Sequence, residues 1–310
     1  MSSTAKAVVL AIVAVLVTGV AGAGVVWSLN QTEESTAPAP ASVPAATGKP
    51  TPTAAPRSLS AVDLSDAVQA ALTESETLLH NPLYAAGRVT VVDCPHPGGL
   101  LSTKQALLEY ANAVVSCLER AWKPVVARSG AELGPSVVHA ITPGTPTPCG
   151  EMDSDAVAFY CSNGSGIYFD WDNYVAKNSR YQAGSVGAIR YTMAHEFGHH
   201  LQEVAGIMAS YGDRYQRTEG AQRLEHTRRL ELQASCFAAA FFGADQKTLE
   251  LYGERLADFR WHAYSGDDDE PGTTPDHGSR KSNTYWSKAA FKARGPGACN
   301  TWAAPGGRVT

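Results

Sequence analysis

YTMAHEFGHHLQ, residues Tyr191–Gln202, is the stretch on which the reading of the whole chain turns. Ile189, Met193, Ala194, Phe197 and Leu201 recur at helical spacing and give it an apolar frame, so it reads as a helix with a buried face. Residues four apart on a helix lie one above the other. His195 and His199 therefore offer two imidazoles to one point, the spacing that grips a single metal ion. Glu196 adjoins the first of them and can reach a metal-activated water as general base without being a ligand. Chance alone can produce H-E-x-x-H, but two histidines and a glutamate on a solvated helix need no apolar frame, which favours the metal reading. Gly198 costs about 1 kcal/mol of helix propensity relative to Ala, a cost tolerated where another backbone must approach closely. His200 points about 100° away from His199 and is expected at the surface or behind the site.

A catalytic zinc needs a third protein ligand and an open position. The pattern H-E-x-x-H-x-x-G-x-x-H would place Gly at 202 and His at 205; Gln202 and Ala205 exclude that class. The next helical segment offers Glu225, His226 and Glu231. Glu225 precedes Arg228 and Arg229 at the spacing of surface ion pairs, so it reads as a solvated charge. Glu231 has Thr227, Ala234 and Ser235 beside it, with Ala238 and Ala239 a turn further on, which leaves a carboxylate where two helices could pack closely. A buried carboxylate without a partner is costly, and a metal removes that cost. Glu231 is the preferred ligand and His226 the next candidate. Arg228, three residues before Glu231, keeps a plain surface pair open as the bland alternative.

Outward from this pair of helices, the apolar spacing predicts further helices from Val62, through Leu64, Val68 and Leu72, to a close at Asn81-Pro82, from Ser102 or Thr103 to about Trp122 with Pro124 ending or kinking it, over Gln246–Trp261, and near Tyr285–Ala293. The motif helices themselves are expected near Ser185–Ala205 and Gly220–Phe242. Strands are expected at Arg88–Asp93 (RVTVVD), Ser136–Ile141, Ala156–Cys161 and Gly166–Asp170, the last two joined by a turn at Ser162-Asn163-Gly164-Ser165. Ser265–Arg280 is polar and turn-rich and reads as a loop. The pattern is α+β, a small antiparallel sheet preceding a helical half.

The chain has 310 residues, 44% of them hydrophobic and 18% charged, with a net charge of -5. It can build a sizeable core, and without a cationic run it lacks a nucleic-acid footprint. Ala7–Leu29 is charge-free and mostly apolar over 23 residues, about the length a helix needs to cross ~30 Å of hydrocarbon. Lys6 before it and Glu33 and Glu34 after it favour export of the bulk of the chain. Ala21-Gly22-Ala23 offers a signal-peptide cleavage site, but the apolar run continues through Val25, Val26 and Trp27, which favours an anchor. Residues 1–30 are thus read as a transmembrane anchor or a cleaved signal peptide, 31–58 as a Pro/Ala/Thr-rich tether, and 59–310 as the zinc-binding functional domain, held at the membrane or secreted accordingly. Six cysteines, all beyond the apolar stretch and none in a C-x-x-C pair, point to three disulfides with 15 possible connectivities. Pairing in sequence order, Cys94–Cys117, Cys149–Cys161 and Cys236–Cys299, is the working expectation, which spacing alone does not establish.

Together, YTMAHEFGHHLQ and LELQASCFAAAFFG (Leu230–Gly243) resemble the two signature helices of the bacterial neutral zinc metallopeptidases. Weaker similarity extends to NPLYAAG (Asn81–Gly87), His277-Gly278-Ser279, and Gly295–Trp302 around Cys299. The resemblance implies a zincin-like fold in which His195, His199 and Glu231 hold zinc and Glu196 is the catalytic base. One departure stands out: the family's second signature looks like E-L-Q-A-D-C, and Ser235 occupies the Asp position. That Asp would hold a zinc-bound histidine by hydrogen bond. Ser235 can accept the same bond without charge, implying weaker orientation and metal affinity. In related zincins a histidine across the cleft stabilises the oxyanion, a role for which His277 is the candidate, a surface loop histidine being the plain alternative. GIYFD (Gly166–Asp170) could be the edge strand along which a peptide pairs, or simply core. Tyr168 and Asp170 have no assigned role.

The expected activity is zinc-dependent hydrolysis of a peptide or protein substrate outside the cytoplasm. Two other readings stand beside it: a metal-containing but catalytically weak envelope protein that binds a partner, and a zinc amidase acting on cell-wall peptides.

Overall fold

The computed structural model of the chain describes residues 73–154, 156–178 and 182–310. The apolar segment at Ala7–Leu29, the tether and the first part of the helix expected from Val62 lie outside the described residues; its last part, residues 73–79, is helical and ends before Asn81-Pro82 as expected. Among those described, no helix is long and apolar enough to cross a membrane.

The elements run as helix α1 (residues 73–79), α2 (Lys104–Arg128), β1 (Val137–Ile141), β2 (Pro146–Thr147), β3 (Gly150–Glu151), β4 (Ala158–Cys161), β5 (Gly166–Asp170), α3 (Trp171–Asn178), α4 (Gln182–Val204), α5 (Ile207–Arg217), α6 (Gly220–Ala244), α7 (Gly253–Ala263) and α8 (Arg280–Ala293). The architecture is the expected α+β, zincin-like arrangement: a small sheet beside a helical half, with the motif helix α4 packed on the Glu-bearing helix α6.

Helix α6 organises the core. Every residue from Arg229 to Ala244 is buried, as expected of a helix that is apolar or small-sided all round. Its alanines let neighbours come close. A Cβ on Gly198 of α4 would sit 2.7 Å from the Ala234 carbonyl oxygen of α6, and one on Gly243 of α6 would sit 2.1 Å from the Phe291 carbonyl of α8. Gly198 thus repays its low helix propensity by letting two backbones touch. Trp122 of α2 packs edge-to-face on Phe237 of α6, with ring centroids 5.7 Å apart, and joins α2 to the same core.

The sheet differs from expectation in one respect. Its order is β1-β5-β4, with β4 antiparallel to β5 but β1 parallel to it. Gly166–Asp170 is therefore the central strand, buried throughout, and not an edge open to a substrate. Of the two edge strands, β4 packs on α4 and β1 on α2.

Several other local expectations are corrected. Arg88–Asp93 is no strand: Val89 N donates to Arg294 O, Thr90 N to Ala121 O inside α2 and Val92 N to Asp245 Oδ1, so these amides are taken by the helices and not by a neighbouring strand. Pro124 does not end α2, which runs on to Arg128 because Ala121, Trp122, Val125 and Val126 are all buried around it and packing outweighs the ~3 kcal/mol proline penalty. The helix expected from Gln246 starts only at Gly253, after Glu250 turns into the left-handed region at φ 51°. Helices α3 and α5 were not anticipated.

The three disulfides form in sequence order, Cys94–Cys117, Cys149–Cys161 and Cys236–Cys299, as suits an extracytoplasmic domain. The last ties α6 to the C-terminal segment. Arg229 of α6 reinforces it, donating to the carbonyls of Trp302 and Ala304 at 3.2 and 2.9 Å, while Thr301 Oγ1 donates back to Arg229 O at 2.6 Å.

The α6–α8 contact yields a stability prediction. Gly243→Ala must push the two backbones apart and is expected to cost about 1–3 kcal/mol, whereas Gly134→Ala, with no atom within 4 Å of the new Cβ, is expected to stay within about 1 kcal/mol of the parent. Urea unfolding with the disulfides intact measures both, and equal midpoints would contradict the packing described.

Candidate metal centre

Two turns of α4 and one of α6 build the centre. The i, i+4 spacing stacks His195 over His199, their rings 4.9 Å apart at 83°, and α6 brings Glu231 against both. The Nε2 atoms of His195 and His199 each lie 3.2 Å from the same oxygen, Glu231 Oε2. One ligand atom from each of the three residues falls within 4.8 Å of the others, and this is the metal-capable group found among the described residues.

The residues fit a zinc ion. Bonds of 2.0–2.1 Å in tetrahedral geometry put ligand atoms about 3.3 Å apart, close to the 3.2 Å separations here. His199 Nε2 lacks the alignment of a hydrogen bond to Glu231, and Glu231 Oε1 and both oxygens of Glu196 are buried without hydrogen-bond partners. Four such atoms at one point would be costly, and a cation relieves that cost.

Electrostatics follow from this crowding. Burial alone would raise the Glu231 carboxyl, but the imidazoles of His199 and His277 facing it hold it well below the usual carboxylate range. Glu196 is fully buried, and that burial pushes its carboxyl up to about 8 against the pull of His199. The Tyr160 main-chain N–H of β4 faces Glu196 and favours its anion, without closing into a hydrogen bond. Burial lowers His195, more than its contact with Glu231 restores.

The remaining expected residues gather around the ligands. Ser235 Oγ is 3.1 Å from His195 Nδ1, and His277 Nε2 is 3.8 Å from Glu231 Oε2. The loop carrying His277 is fixed locally: its backbone N–H donates to Asp268 Oδ1 at 2.8 Å and its Nδ1 is 2.6 Å from Asp276 Oδ1. Gly278 follows at φ 90°, with Leu232 of α6 filling the space a Cβ would need. The solvent-facing side of the centre is that of His195 and His277, since Glu196, His199 and Glu231 are almost wholly enclosed.

The other candidates lie elsewhere. Glu225 pairs with Arg229, 2.7 Å away. His226 stacks on Trp302 at 28° and is not in the metal-capable group. His200 is buried and not at the surface, bridging Tyr160 Oη at 3.0 Å and the Gly134 carbonyl at 3.0 Å, so it braces α4 against the sheet. Tyr168 stacks between His139 and Phe159 across the three strands, and Asp170 Oδ1 accepts from Asp172 N at the start of α3; both have structural roles.

Residues that sequence reasoning passed over are Gln202 and Gln233. Gln202 Oε1 is 2.8 Å from His199 Nδ1, and Gln202 Nε2 donates to Leu230 O and to Gln233 Oε1. Gln202 falls three residues after His199 on one helix face, a spacing that could have flagged it.

Comparison with known proteins agrees with this geometry. A family described as "Putative neutral zinc metallopeptidase" matches residues 96–302. The chain is 30% identical over 167 residues to Uncharacterized protein YpfJ of Escherichia coli (strain K12), covering 51% of this chain and 58% of that one. It is likewise 30% identical over 178 residues to Uncharacterized protein Rv2575 of Mycobacterium tuberculosis (strain H37Rv), covering 51% and 59%. The chain thus spans less than two thirds of the length of these relatives. No solved structure matches it. The matched region contains both motif helices, the His277 loop and the His195, His199 and Glu231 group positioned to bind the metal ion, and on that basis the chain belongs to the family of neutral zinc metallopeptidases.

Proposed function

We propose that the chain hydrolyses peptide bonds in an exported peptide or protein, with zinc held by His195, His199 and Glu231. The observation that carries this reading is the placement of Glu196: a carboxylate with no hydrogen-bond partner, adjoining three convergent ligands and facing the edge strand β4. A purely structural metal site has no use for it.

When bound, zinc would supply a Lewis acid that polarises the scissile carbonyl and makes a water acidic. Glu196 takes the proton from the attacking water and passes it to the leaving amine, a transfer its place beside the three ligands allows. His277, on the solvent-facing side with Asp276 on its Nδ1, would donate from Nε2 to the developing oxyanion. Ser235 holds His195 by accepting from its Nδ1–H. The free edge of β4 offers main-chain groups for an extended substrate to pair with. Three disulfides support a substrate outside the cytoplasm.

The test uses the full chain, its metal content and hydrolysis of an unfolded protein substrate. Glu196→Gln is expected to keep stoichiometric zinc while losing at least about 100-fold in rate, and Glu231→Ala to lose the zinc. His277→Ala should keep zinc and fall about 100-fold or more in kcat. Zinc retained by Glu231→Ala would refute the ligand set, and a zinc-loaded parent that cleaves nothing would favour a binding protein.

A pH prediction follows for the metal-free protein. Glu196 rises from the ordinary 4.5 to about 8 on folding, so below 4.5 it is protonated in both states and costs nothing. As pH rises toward 8 the unfolded chain ionises first and the fold loses stability. Gln does not titrate, so metal-free Glu196→Gln should match the metal-free parent below that window and exceed it above, by up to about 4–5 kcal/mol at 1.36 kcal/mol per unit. A pH-independent difference in thermal midpoint would contradict the assignment.

A further inference from the structure

From the hydrogen-bond directions behind His199 we infer that Gln202 and Gln233 form an amide relay that fixes the metal-binding tautomer of that histidine and anchors it to the C-terminal segment. The inference rests on the metal reading above and assigns two positioning residues to it. Both glutamines are fully buried in the interior.

The direction of each bond is set by main-chain carbonyls, which can only accept. Tyr84 Oη donates to Leu78 O at 3.0 Å. Gln233 Nε2 lies 2.9 Å from Cys299 O and 2.9 Å from Tyr84 Oη, so the nitrogen end of that amide must face them. Its Oε1 then faces Gln202, whose Nε2 donates to it at 3.1 Å and to Leu230 O at 2.8 Å. Two acceptors on that side leave Gln202 only one orientation, with Oε1 toward His199 at 2.8 Å. His199 Nδ1 can satisfy that oxygen only as N–H. A neutral imidazole protonated on Nδ1 has its lone pair on Nε2, the atom facing Glu231.

Each link thus passes its polarity to the next, from the carbonyls of Leu78 and Cys299 to the ligand atom. Cys299 is bonded to Cys236, three residues after Gln233 on α6, so the far end of the relay is held covalently to the helix that carries Glu231.

Two variants of Gln202 separate aim from packing. Gln202→Met keeps the length of the side chain but removes the acceptor; Gln202→Glu keeps an acceptor for His199 Nδ1–H. Both lose the donors to Leu230 O and Gln233, so both should lower the thermal midpoint of the metal-free protein. Only Gln202→Met should weaken zinc, by about 10–100-fold in a chelator-competition assay on the full chain, while Gln202→Glu should bind at least as tightly as the parent. Equal zinc affinity in the parent and Gln202→Met, or equal loss in both variants, would overturn the relay. Should Gln202→Met fold too poorly to assay, Gln233→Met, which leaves Gln202 with Leu230 O alone, is expected to weaken zinc about threefold to tenfold; parent-like affinity there overturns the proposal. Zinc absent from the parent itself would instead sink the ligand assignment, and the relay with it.

Discussion

The constraint on which the structure depends is the touching of two helix backbones at Gly198 and Ala234. A carboxylate is short, and Glu231 can meet the imidazoles of His195 and His199 on a single oxygen only if α4 and α6 approach to within a peptide's thickness. Any side chain at 198 would hold them apart. The small residues of α6 and the flanking Phe237 and Trp122 fill the rest of the interior around that contact, so the same helix that carries the third ligand is also the axis of the core. Ligands carried on packed helices hold their geometry better than ligands on loops.

That dependence explains what could be read in advance. His195, His199 and Glu196 declare themselves because their spacing is fixed by one helix, and the period of the helix is known before any fold is known. Glu231 was within reach because its small neighbours signal close packing, even though the contact spans 36 residues of chain. The three disulfides matched the simplest ordering, yet nothing in their spacing required it. The errors share a cause. Arg88–Asp93 has the composition of a strand, but its amides find helix carbonyls and a carboxylate as partners, and of the two readings of Gly166–Asp170, edge or core, the core reading holds because the strand sits between two neighbours. Local sequence reports what a segment can pair with, and tertiary structure decides what is there.

Polar groups buried far apart in sequence were the least legible part. Gln202 meets Gln233, and Gln233 meets Tyr84 and Cys299, at separations no periodicity encodes. Arg229 is similar: its pairing with Glu225 was readable from i, i+4 spacing, whereas its hold on the C-terminal carbonyls was not. These contacts turn the last residues of the chain into part of the wall behind the metal centre. Each satisfies groups that would be costly to bury alone, which is why they form a connected set and not isolated bonds.

The centre is also asymmetric in a way that bears on its chemistry. His195 rests on a hydroxyl and His199 on an amide, so neither imidazole is backed by a negative charge. A carboxylate behind a ligand makes it more basic and binds the ion more tightly, but it also draws down the positive charge the ion presents to a substrate. Neutral partners shift that balance the other way. An ion there would be held with less help from behind and, in the hydrolysis proposed above, would keep more of its charge for the carbonyl in front. Glu231 is then the single full negative charge among the ligands, and Glu196 the next carboxylate in the enclosure. With both ionised, their charge would equal that of a divalent ion, so in the hydrolysis proposed above a proton taken up by Glu196 would leave the enclosed site positive where an oxyanion would form.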